Sequence, residues 1–72
     1  MLFKKHKRRD SSVYIVMVET YLNFDPETTM TTVDDVYRNK DEAKNRIGQL
    51  ITKGYLRPLI IKHAWIETRA LY

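Results

Sequence analysis

Seventy-two residues without a cysteine have room for one small domain, which buries only about 60% of the surface its unfolded chain exposes, and no disulfide or Cys/His zinc site is present to staple it. The formal charge of +4 is concentrated at one end: the first nine residues hold five Lys and Arg, whereas from Asp10 onward eight Lys and Arg face nine Asp and Glu. The apolar run Val13 to Val18 ends at Glu19, too short for a secretory core or for the ~20 residues of a membrane span, so the chain is expected to be soluble, cytoplasmic and without membrane contact.

Residues 4–9 read "KKHKRR", and residues 1–12 are expected to be a basic, flexible tail ahead of a single domain over 13–72. Lys4, Lys5, Lys7, Arg8 and Arg9 are the candidate nucleic-acid contacts, since each cation that neutralises a phosphate releases counterions and gives salt-sensitive, sequence-independent affinity. The other reading of the same run is a solvated extension without a ligand.

"VYIVMVETYL" is rich in β-branched and aromatic residues and predicts a strand over Val13 to Leu22. Tyr14, Val16, Val18 and Leu22 fall on one face, and Val13, Ile15, Met17 and Tyr21 on the other. Apolar residues on both sides suggest a central strand. "NFDPETT" predicts a loop over Asn23 to Thr29. "MTTVDDVYR" predicts a weaker edge strand, in which adjacent Asp34 and Asp35 put a charge on each face unless a bulge intervenes.

A helix follows in "NKDEAKNRIGQLITKGY". Asn39 is a suitable N-cap with Glu42 three residues on, and Asp41, Glu42 and Lys53 complement the helix dipole. Ala43, Ile47, Leu50 and Ile51 form one apolar stripe, and Gly54 suits the left-handed position that ends a helix. Gly48 costs about 1 kcal/mol relative to alanine and marks a candidate close approach to the sheet. "PLIIKHAWIETRAL" predicts a long last strand opened by Pro58.

These elements predict an α+β fold: a three-stranded antiparallel sheet, ββαβ in chain order and 2-1-3 in space, with one helix packed on one face. The second face then lacks a cover. Ile15, Met17, Tyr21, Ile61 and Trp65 are the candidate interface residues there, being of types enriched where protein surfaces meet. A homodimer or another protein is the expected partner.

Catalytic chemistry finds little support. His63 is the one histidine outside the tail, the serines are confined to Ser11 and Ser12, and no glycine-rich loop is present to hold a phosphate. No catalytic residue, metal ligand, cofactor or small-molecule substrate is therefore expected.

"VYIV" opening a strand, "VYRNKDEAK" placing an aromatic before a polar N-cap, and "WIE" in a closing apolar strand together resemble small strand–strand–helix–strand proteins encoded by bacteriophages and prophages. The resemblance spans about Val13 to Thr68. It implies core roles for Tyr37 and Ala43, and a phage-type accessory protein that binds a host or viral macromolecule in the host cytoplasm. It implies no functional residue.

Overall fold

The computed structural model describes residues 12–70, and the five tail cations Lys4, Lys5, Lys7, Arg8 and Arg9 lie outside them. The elements are β1 (Ser12–Leu22), β2 (Asp25–Tyr37), α1 (Lys40–Lys53), β3 (Tyr55–Leu56) and β4 (Leu59–Ala70). The sheet is antiparallel, in the order β2-β1-β4-β3. The α+β class and central β1 agree with the sequence reading, but the sheet has four strands rather than three. Gly54 turns the chain out of α1 with φ 81° and accepts a hydrogen bond from Ile61 N–H at 3.0 Å. That contact lets Tyr55 and Leu56 pair with Ile60 and Leu59 across a tight turn containing the cis Arg57-Pro58 bond, a turn chemistry reserved for proline.

The expected loop at Asn23 to Thr29 is also shorter than its composition suggests. Only Asn23 and Phe24 form the turn, and Asp25 already pairs with Leu22. The composition acts instead as an irregularity: the register next resumes at Tyr21 opposite Thr29, leaving Pro26, Glu27 and Thr28 without partners on β1. Proline tolerates such a place because it has no N–H to leave unpaired.

Two β-bulges decide which way side chains point. On β2, Val16 pairs with Asp35 and Met17 with Val33, so Asp34 is the extra residue. On β4, Glu19 pairs with His63 and Thr20 with Ile61, so Lys62 is extra. Each inserted residue reverses the alternation beyond it.

The helix lies on the face formed by Tyr14, Val16, Val18 and Thr20 of β1. Its N-terminus is held by Asn39 Oδ1, which accepts from the N–H groups of Asp41 at 2.8 Å and Glu42 at 3.3 Å. Its end is closed by Gly54 N–H donating to the Leu50 carbonyl at 2.8 Å. The fully buried hydrophobic core is Val16, Val18, Ala43 and Leu50, extended by half-buried Tyr14, Tyr37, Ile47, Leu56, Ile61, Ala64 and Ile66. Tyr37 and Ala43 thus pack where expected.

Ile51 does not join the stripe and is 63% exposed. Among the described residues β3 is two residues long and pairs only with Leu59 and Ile60, so Ile51 lies beside the unpaired edge of β4 at Ile61 to Ala64. Gly48 faces outward, with no atom within 4 Å of where a Cβ would sit. It marks no close approach.

Candidate interaction face

The face opposite the helix is built from cross-strand rows fixed by the register. Val36, Ile15 and Glu67 make one row; Val33, Met17 and Trp65 the next; Thr31, Glu19 and His63 a third; and Thr29, Tyr21 and Ile60 a fourth. None of these side chains is fully buried. The strand neighbours shield β1 and β4 in part, while Val33 is 54% and Val36 49% exposed.

Ile15, Met17, Tyr21 and Trp65 therefore share one face, as expected. Ile61 does not. The Lys62 bulge places it opposite buried Thr20 and into the helix-side core, and Ile60 takes the open-face position beside Tyr21. The Asp34 bulge has the complementary effect on β2: Val33 and Val36, three residues apart, both belong to the open face. A regular strand would place them on opposite sides.

The bulge also removes the two aspartates from that face. Asp34 reaches the helix, where its carboxylate accepts from Arg46 Nε at 2.7 Å and Arg46 Nη2 at 2.9 Å. Asp35 stands opposite buried Val16 and accepts from the Val36 N–H at 2.8 Å. The hydrogen bond with Asp34 is the main cause that raises the Arg46 pKa above its ordinary value, with desolvation opposing it. The guanidinium therefore stays charged until strong alkali. This fork clamps the outer strand to the helix and keeps the aspartates off the Val33, Met17 and Trp65 row.

Polar groups fringe those rows. Trp65 Nε1 donates to Glu67 Oε2 at 3.3 Å, and Arg69 Nη2 donates to Glu67 Oε1 at 3.3 Å. Glu19 and His63 mark the other side of the Met17 and Trp65 row. The apolar Ile15 and Met17 rows are thus bordered by Glu67 on one side and by the Thr31, Glu19 and His63 row on the other, beyond which lie Tyr21 and Ile60, and apolar side chains bordered by polar ones are common in protein interfaces.

The remaining surface offers less. A depression of about 610 Å3 is lined by Asn45, Gly48, Gln49, Thr52 and Lys53 of α1. A second of about 300 Å3 is lined by Ile51, Gly54, Ile61, Lys62, His63 and Ala64. Neither joins a nucleophile to an acid and a base. Among the described residues no three His, Asp or Glu side chains gather as metal donors, and no helix is long and apolar enough to cross a membrane.

Tyr14 and Tyr37 pack against the core. Tyr55 is flanked by Arg57 at 4.9 Å and Lys53 at 5.7 Å from its ring centre, both cation–π contacts within the chain. Comparison with known protein families finds no match. Nor does comparison with curated protein sequences or with solved structures.

Proposed function

We propose that the protein is a non-enzymatic binding module that works by protein–protein contact through the open sheet face. The observation that carries this reading is the pair of bulges, which bring Val33 and Val36 of β2 and Ile60 and Trp65 of β4 onto the face that Ile15, Met17 and Tyr21 of β1 already share, opposite α1. With four fully buried hydrophobic side chains among the described residues, the core is small, and covering a second apolar face supplies stabilisation of the same kind. On the phage-type resemblance, the setting of that contact is the host cytoplasm.

The test is a pair of surface variants. Val33→Lys with Val36→Lys charges the open face at two exposed positions, and Thr52→Lys charges the outer side of the helix. The reading predicts that chemically cross-linked complexes formed in the native lysate disappear with the first variant and persist with the second, while both give unchanged circular dichroism. Complexes that survive the first variant refute it.

A further inference from the structure

Resting on that reading, we infer that the occupant of the open face is a second copy of this chain, related by a two-fold axis running across the strands at Met17 and Trp65.

The first argument is what an occupant must match. The nearest candidate within the chain is the segment before β1, but "KKHKRR" would have to give up the hydration of five cations over rows that offer only Glu19 and Glu67 as counter-charges. A second copy brings an apolar surface of matching size. Four rows about 6.8 Å apart on three strands about 4.8 Å apart give a footprint of roughly 400 Å2 per copy, or about 800 Å2 for the pair. That sum lies below the roughly 1,000 Å2 of a stable specific interface and fits a weak, concentration-dependent dimer.

The second argument selects the axis. If the two-fold ran along β1, Glu19 would lie directly on Glu19 of the other copy, pressing two carboxylates together in a largely apolar contact. With the axis across the strands, each β1 runs antiparallel over its mate. Glu19 then lies four residues, about 13 Å, from its own counterpart. On β4, Glu67 and His63 sit two residues to either side of Trp65, so Glu67 of one copy faces His63 of the other. Trp65, Met17 and Val33 meet their own counterparts at the centre. Sheets stacked this way pack about 10 Å apart with side chains filling the gap.

The absence of cysteine makes the geometry directly testable in the full chain with a short bis-maleimide. Met17→Cys, on the axis, is expected to cross-link to itself. Val13→Cys and Tyr21→Cys are expected to cross-link to each other in a mixture, and neither to itself. Self-linking of Val13→Cys would overturn the crosswise axis in favour of one along β1. Sedimentation of the unmodified chain is expected to show a dimer at high micromolar concentration, and a monomer for Val33→Lys.

A wild-type monomer under those conditions overturns the inference, and peroxide oxidation of Met17, mapped by mass spectrometry, then shows what else falls. A monomer with Met17 freely oxidised has a bare face, which removes the second copy but leaves protein binding intact. A monomer with Met17 protected covers its own face, which removes both.

Discussion

The fork between Arg46 and Asp34 is the contact that ties the bulged outer strand to the helix, so breaking it probes how the aspartates are kept off the Val33, Met17 and Trp65 row. The Asp34 side chain is 9% exposed and that of Arg46 27%. Arg46→Met keeps the alkyl stem but leaves a nearly buried carboxylate without its two donors, which costs about 1.5 to 3 kcal/mol for a charged group. Asp34→Ala frees a guanidinium that still reaches water, and costs less, about 1 kcal/mol. The double variant should cost less than the sum, with a coupling of about 1 to 2 kcal/mol, above the ~0.2 to 1 kcal/mol of a solvent-exposed pair. For a domain whose whole stability is on the order of 4 to 10 kcal/mol, urea unfolding followed by circular dichroism resolves these differences. Additive costs, or a larger loss for Asp34→Ala than for Arg46→Met, would refute the clamp.

Three further outcomes follow from particular residues. Gly48→Ala should stabilise the chain by about 0.8 to 1 kcal/mol, since a Cβ there meets nothing; an unchanged or lowered urea midpoint would contradict that. Thr20 Oγ1 is buried without a hydrogen-bond partner, so Thr20→Val, of nearly the same shape, should stabilise by about 1 kcal/mol, and destabilisation would reveal a partner for the hydroxyl. If the tail binds nucleic acid, deleting residues 1–10 should abolish a salt-sensitive retardation of single-stranded DNA; unchanged retardation removes the tail from the account.

The parts of this fold that were legible in the sequence are those set by local chemistry. Asn39 and Gly54 delimit the helix through backbone capping, and the density of β-branched residues marks β1. What escaped depends on pairing with distant residues. A bulge is one skipped partner in a ladder, and "VDDVY" or "IIKHA" gives no count of partners. Asp34 and Asp35 hinted at an irregularity, but not that both would leave the open face and bring Val33 and Val36 onto it.

The same limit explains Ile61. Its spacing of four from Trp65 implies a shared face in a regular strand, and the inserted Lys62 reverses it. β3 was invisible for a different reason, because two residues pair only through the geometry of the turn at Pro58. Ile51 followed the helical period correctly, yet the period says nothing of where the sheet ends beneath it.

The central claim is that the open face is an association surface, and the single tryptophan reports on it from the middle row. Acrylamide quenching of Trp65 fluorescence should be weak in concentrated protein, strengthen on dilution, and be strong at every concentration in Val33→Lys. Strong quenching of the wild-type chain at all concentrations, with the fold intact and no protein partner able to reduce it, would contradict the claim.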